Sequence, residues 1–552
     1  MDMIVNPIIP GMAPDPSIIR AGADYYIATS TFHWAPGVVI YHSRDLMNWQ
    51  QCATVLQNDE IDLRGTNTPA GIWAPHLSYD ETEKKFWLAY SLMENMAGRE
   101  FNAQSYAMWA NDIKGPWSEP IYLTSIGFDP SLYHEAGRHY LAILEWETRS
   151  GYQAPGHLAM AEINLSTGKL MGKWHRLTTG FTTRGCIEAP QIYKHDGYYY
   201  MLAASGGTGY GHGIEMGRSK DIFGPYESNP TGEPILTSSP RHLFSLGDPD
   251  AGHFEMFNPH SPLQKAGHGS LVETPDHEWY ITHLMSRPLP GTKLNPLGRE
   301  TGLQKVRWTK EGWLELEDSS NLAKLEVPAP KAAANAKQNF HANDIFTDFA
   351  TEDALSAFFT PYHLKNKSWA DIKDGHLELY GGNSFFSQVA PSILATRATS
   401  FKYSLQVKLS FSPNHYSERA GTGLYYDSNN WLYAYLALDD KEEKLMLCLM
   451  QAKLGERLTY DFDTVPMPDT PIELRLDYNY GTVKVFYRLD ENAAWQQLSG
   501  SIDASYLSDE GVNGEPGEIG GFTGLFNFIG AVDAHQHDSH GNYYYYQVTS
   551  AE

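Results

Sequence analysis

FDPSLYH at residues 128–134, followed by RHYLAIL at 138–144, is the stretch on which the fold turns. It holds an apolar run that opens on an acid and a proline, then a Glu-Ala-Gly turn, then a second run rich in aromatic and aliphatic residues. Short runs of this kind bounded by turn residues read as β-strands. The pair recurs four more times. PDPSIIR from Pro14 precedes DYYIATS (24–30), and WAPHLSY from Trp73 precedes KFWLAYS (85–91). IEAPQIYK from Ile187 precedes GYYYMLAAS (197–205), and GHGSLVET from Gly267 precedes EWYITHL (278–284). Further out, VVIYHSRDLMNWQ (38–50), AMWANDIKGPWSE (107–119) and IEMGRSKDIFGPYE (214–227) each add a strand, a polar turn and a Trp or Tyr. A four-stranded meander repeated five times, at intervals of roughly 50–80 residues, predicts a five-bladed β-propeller. A single large β-sandwich is the alternative, and it leaves the repeated polar start without a reason.

Beyond the repeats, PAPKAAANAK at 328–337 has the Pro and Ala richness of a linker. The strand signals then change. FKYSLQVKLSF (401–411), GTGLYYDS (421–428), NWLYAYLAL (430–438), KLMLCLMQA (444–452), IELRLDYN (472–479) and TVKVFYRLD (482–490) are spaced as in an antiparallel sandwich. The expected chain is therefore all-β: a propeller over 1–327, a linker over 328–337 and a β-sandwich over 338–552. The sandwich either packs on the propeller and closes one side of its pocket, or is an independent binding module. GGFTGLFNFIGAVD (520–533) offers Phe522 or Phe526 as an apolar wall, or is ordinary strand and turn.

Composition narrows the function. The formal net charge of −25 opposes binding to nucleic acid or to an anionic membrane. The three cysteines, Cys52, Cys186 and Cys448, are too far apart for a CxxC zinc site and indicate no disulfide framework. The opening MDMIVNPIIPGMAPDPS has no basic segment followed by an apolar one, so a cytoplasmic location is expected.

In a propeller the first strand of each blade lines the central channel, so residues that open those strands converge on one axis. Three of the five starts carry an acid: Asp15, Asp129 and Glu188. A fourth carries His268 and the fifth Trp73. Two carboxyl groups, one protonated and one ionised, suffice for hydrolysis of a glycosidic bond. A third nearby carboxylate raises the acid's pKa by repulsion. Locally, the Asp-Pro pairs at 15 and 129 read equally well as turn formers. Glu188 is the less ordinary residue, because a buried unpaired carboxylate opening an apolar strand is costly.

These residues resemble glycoside hydrolase family 43, in particular its β-xylosidases with a C-terminal β-sandwich. The resemblance runs through NPIIPGMAPDPSIIRAGADYYIATSTFHWAPGV, GIWAPHLSY, GFDPSLYH, CIEAPQIY, GHGSLVET, HLMSRPL and LGRETGLQKV, in that order. It implies that Asp15 is the general base, Glu188 the general acid, and Asp129 the residue that orients the acid and modulates its pKa. It also implies inversion of configuration, with Asp15 and Glu188 about 6.5–9.5 Å apart. Arg299 would hydrogen-bond sugar hydroxyls, or else form a structural ion pair. Phe32 and Trp73 would wall the subsite for the non-reducing sugar, or else be plain core. His268 would lie beneath the catalytic centre and help hold a calcium ion or a water; no cofactor is required. A second cluster, His535, His537, Asp538 and His540, has metal-like spacing but reads as a solvated loop.

The resemblance implies an exo-acting enzyme that releases xylose from β-1,4-xylo-oligosaccharides, with α-L-arabinofuranosidase side activity, assembled as a dimer or tetramer. An arabinan-directed hydrolase of the same fold, a fructoside-cleaving propeller and a non-catalytic carbohydrate-binding protein are the competing readings. The chain departs from the best-known β-xylosidases in IEAPQIY, in the proline after Asp129, and in GHFEMFNPHSP (252–262) ahead of the GHGS strand. Those departures bear on substrate preference.

Overall fold

The computed structural model describes residues 2–57, 61–66, 69–152, 156–240, 256–340, 343–459, 464–512 and 520–551. Nearly all regular structure is strand, and the only helices among these residues are short 3-10 turns. None is long or apolar enough to cross a membrane.

The N-terminal part is a β-propeller. Its strands form five antiparallel sheets, each made from consecutive strands. The inner strands are Ser17–Ala21, Gly71–Asp80, Gly127–Glu135, Glu188–His195 and Gln264–Glu273. The aromatic segments read from the sequence form the second strands: Asp24–Thr29, Lys85–Asn95, Arg138–Glu145, Tyr198–Ser205 and Trp279–Ser286. They pack sheet on sheet because their apolar side chains have no other cover; Ile27, Leu88, Leu141, Leu202 and Ile281 are all fully buried.

One polar side chain on each inner strand or beside it fastens that sheet to the next. Leu77 N–H donates to Ser17 Oγ at 2.9 Å, and Leu132 N–H to His76 Nδ1 at 3.3 Å. Ser131 Oγ donates to the Pro190 carbonyl, and Leu271 N–H donates to Tyr193 OH at 2.9 Å. Ile18 N–H then donates to Ser270 Oγ at 3.1 Å, returning from the last sheet to the first. The chain start reinforces this closure. Met3–Val5 pairs with Glu326–Pro328, and Asn6 Nδ2 donates to the carbonyls of Leu303 and Lys324, both at 2.9 Å.

The C-terminal part is a β-sandwich of two antiparallel sheets. One is built around Lys402–Ser410, Ile472–Asn479 and His540–Ser550. The other is built around Glu418–Asp427, Asn430–Asp439 and Phe526–Asp533. The stretch read as a linker is not a loose tether. Ala333 is fully buried, and Gln338 exchanges two hydrogen bonds with the Val5 backbone, at 2.8 and 2.7 Å.

The two parts share a core. Trp34, from the segment between the second and third strands of the propeller's first sheet, stacks on Phe526 of the sandwich with ring centroids 3.8 Å apart. Trp34–Ala35 pairs with Thr360–Pro361 as a short antiparallel bridge, and His33 stacks on Tyr362. Such packing holds the sandwich against the face of the propeller where the inner strands begin.

Candidate active site

Each inner strand starts with the same backbone irregularity. Asp15, Ala74, Asp129, Ala189 and His268 all have left-handed φ, between 43° and 58°. In four of the five sheets the pairing register also slips at that point, between Trp73 and His76, Phe128 and Ser131, Glu188 and Gln191, and around Gly267. Bulges of this kind bend a strand and re-aim its side chains, and they cluster at active sites. A residue held there carries strain of about 1–3 kcal/mol, and Asp and His tolerate it better than Ala.

The registers refine the sequence reading of the three acids. Glu188 pairs with Ala204, as Phe128 pairs with Leu144 and Trp73 with Ser91. Asp129 is therefore equivalent to Ala189, not to Glu188. The three acids do not occupy one repeated position: Glu188 stands one residue earlier, and Ala189 takes the left-handed place.

The structure brings all three acids together. Asp15, Asp129 and Glu188 are each less than a tenth exposed. Burial, then the charge of Asp15, pushes the Glu188 carboxyl up to about 7, while Arg299 pulls it down. Burial, then the charges of Glu188 and Asp15, raises Asp129 well above the ordinary carboxylate range. Asp129 also accepts a hydrogen bond from the N–H of Ala189, the peptide adjoining Glu188. Asp15 is held differently. Ser30 Oγ donates to its Oδ2 at 2.6 Å while itself accepting the Ala74 N–H at 2.7 Å, and His268 Nδ1 lies 3.3 Å from its Oδ1. Ser30 drew no notice in the sequence, because a serine ending an aromatic strand is ordinary.

Arg299 is buried and faces this group, with the charges of Asp15 and Glu188 among those acting on it. Its Nη2 donates to the Thr208 carbonyl at 3.3 Å, and its Nε has no acceptor among the described residues. That donor is available to a ligand hydroxyl. The guanidinium lies 3.7 Å from the centroid of the Phe522 ring, which comes from the sandwich. Phe522 is 6.0 Å from Phe32, and Phe32 is 6.3 Å from Trp73. The three aromatics and Arg299 thus form one wall beside the acids. Phe526 does not join it, being fully buried against Trp34.

A buried network holds the Phe522 loop in place. Lys265, on the inner strand that carries His268, places its Nζ 2.6 Å from Glu510 Oε1 and 3.3 Å from Asp509 Oδ2. Tyr426 OH donates to Asp509 at 2.6 Å, and Asn295 donates to Glu510 through both its backbone N–H and its side chain. Gly521 N–H donates to the Asp509 carbonyl. No sequence signal links Lys265 to acids some 240 positions away.

The axis does not fit a calcium ion held by His268. Calcium takes six to eight oxygen ligands. Asp15 Oδ2 is committed to Ser30, and among the described residues His268 is in no group of three metal-ligating side chains. The cluster read at 535–540 does not converge either. His535 pairs with Glu418, His540 lies against Tyr380, and only Asp538 approaches Glu418 and Asp533. Its exposure fits the solvated-loop reading. Of GHFEMFNPHSP, residues 252–255 lie outside the described residues.

Carboxyl groups converging on a propeller axis, one of them keeping its proton close to neutral pH, are the equipment of a glycoside hydrolase. The chain belongs to glycosyl hydrolases family 43: that family's model matches residues 4–314, and the beta xylosidase C-terminal concanavalin A-like domain matches 347–549. It is 36% identical to xylosidase/arabinosidase 43B of Humicola insolens, over 97% of this chain and 95% of that one. It is 34% identical to a xylan 1,3-beta-xylosidase of a Vibrio species, over 99% and 98%. Among solved structures, the xylan beta-1,4-xylosidase of Bacillus halodurans C-125 matches with a TM-score of 0.91 and 36% identity, covering 99% of this chain and all of that one.

Proposed function

We propose that this enzyme releases xylose from the non-reducing end of short β-1,4-xylo-oligosaccharides, with inversion at the anomeric carbon. In this reading the five sheets are the five blades of the propeller. The observation that carries the reading is the group of three buried carboxyls, with Glu188 raised to about 7 and Asp15 fixed by Ser30 and His268. Asp15 as a carboxylate takes a proton from water as the oxygen attacks the anomeric carbon. Glu188 gives its proton to the departing glycosidic oxygen on the opposite face. The cycle leaves Asp15 protonated and Glu188 ionised, and exchange with solvent resets both. Asp129 accepts the N–H of the peptide next to Glu188 and so orients the acid.

Arg299 Nε supplies a donor for a sugar hydroxyl, and Phe32, Trp73 and Phe522 supply a wall for the terminal ring. A pocket roofed from the sandwich side admits a chain end, which supports exo action. The similarity to a xylosidase/arabinosidase favours a second activity on α-L-arabinofuranosides. Assembly into a dimer or tetramer belongs to the same reading and is measured by light scattering.

Proton NMR of the xylose first released from p-nitrophenyl β-xyloside tests the mechanism. The α-anomer is expected; first release of the β-anomer rules out inversion. Kinetics on paired nitrophenyl xylosides and arabinofuranosides rank the two activities, and cleavage of arabinan oligomers alone would replace the xylosidase reading.

A further inference from the structure

Away from the catalytic acids, the second and third sheets meet in a cluster of two histidines and an aspartate. His134 and His139 are direct cross-strand partners at the ends of Gly127–Glu135 and Arg138–Glu145. Their Nδ1 atoms are 2.8 Å apart. Asp80, the last residue of Gly71–Asp80, faces them from the neighbouring sheet, its Oδ2 3.8 Å from His139 Nδ1. The three ligand atoms all lie within 4.8 Å of one another. Asp80 is only 2% exposed. Its Oδ1 accepts the N–H groups of Thr82 and Glu83, whereas its Oδ2 is buried and receives no hydrogen bond.

We propose that Asp80, His134 and His139 bind one divalent ion of the zinc class, which cross-links the second and third sheets of the propeller. Three electron-rich atoms point into one small space. A single proton can join the two nitrogens or serve the carboxylate, but not all three; a divalent cation accepts a lone pair from each. Two imidazoles with one carboxylate suit Zn²⁺ or Co²⁺ rather than Ca²⁺ or Mg²⁺. The fourth position of a tetrahedral ion is left to water. Ser78 Oγ lies 2.9 Å from His134 Nε2, so an Nε2–H donated to it leaves the Nδ1 lone pair facing the ion. The His139 side chain is 13% exposed, which gives the ion a way in. Asp80 ends its strand while the catalytic acids stand at strand starts, roughly 20 Å away at strand rise, so the ion takes no part in hydrolysis.

The test uses the full chain without a histidine tag, stripped of metal and titrated with Zn²⁺ by calorimetry and with Co²⁺ by visible absorption. One ion per chain, the ligand-field spectrum of a nitrogen-bound Co²⁺ and a higher melting temperature are expected, with unchanged hydrolysis. Asp80→Asn and His139→Gln should each weaken uptake at least tenfold while hydrolysing substrate normally. Hydrolysis serves as the folding control, and if one variant fails it the other decides. No uptake by the native chain, or undiminished uptake by the folded variants, overturns the proposal. So does uptake abolished by Asp538→Asn, which would place the ion at Glu418, Asp533 and Asp538 instead.

Discussion

Glu188 is the residue whose environment decides the pH behaviour. As the proposed general acid it must be protonated, and burial with the neighbouring Asp15 charge raises its pKa to about 7. The rate on xylobiose should therefore fall as pH rises through about 7, and the pH profile of kcat/KM measures it. Glu188→Gln should lose at least a hundredfold on xylobiose and much less on a dinitrophenyl glycoside, whose leaving group needs no proton. Stability follows with a definite sign. The folded pKa lies above the ordinary value of 4.5, so the native state binds this proton more tightly than the unfolded chain. That contribution is fully present below about pH 4.5 and is lost as pH rises through about 7, a change of roughly 3 kcal/mol. Glu188→Gln should consequently melt above the native enzyme at about pH 8 and close to it at about pH 4.

At the level of the strand, the bulge makes the site. The GHGS segment shows why its glycines are there. A Cβ on Gly267 would sit 2.4 Å from the ring of the buried His212, and one on Gly269 would sit 2.3 Å from Ile214. Both lie where the inner strand of the fifth sheet presses on Gly213–Ser219 of the fourth. His268 can reach Asp15 only because the backbone on either side approaches its neighbour this closely. Gly267→Ala should cost about 1–3 kcal/mol by overpacking. It should also displace His268, so kcat should fall along with the melting temperature; thermal melts and steady-state kinetics on one preparation check both.

For the whole molecule, the decisive feature is that the sandwich completes the propeller's pocket. Phe522 lies over Arg299 because Asp509 and Glu510 are locked to Lys265 in a fully buried ion cluster. Removing the cation leaves two buried acids without their counter-charge, which destabilises by about 3–5 kcal/mol. Lys265→Met should therefore lower the melting temperature by several degrees. In the fraction still folded it should raise KM more than it lowers kcat, since Phe522 belongs to the pocket wall and not to the chemistry. A fall in kcat with KM unchanged would contradict the role given to that loop.

The sequence by itself determined the strand repeat and the all-β class, and it singled out the three acids that the structure brings together. Each of these is written locally, in the alternation of apolar residues, in turn residues, and in charged groups opening apolar strands. The one-residue offset of Glu188, the hold of Ser30 on Asp15, the Lys265 cluster, and the choice of Phe522 over Phe526 were decided only by the tertiary structure. So were the burial of Ala333 and the hold of Gln338, just past residues 328–337, on the Val5 backbone. The physical reason is common to all of them. Bulges, buried ion clusters and pKa shifts depend on which groups meet across hundreds of residues and how far water is excluded, and neither is encoded in the spacing of one segment.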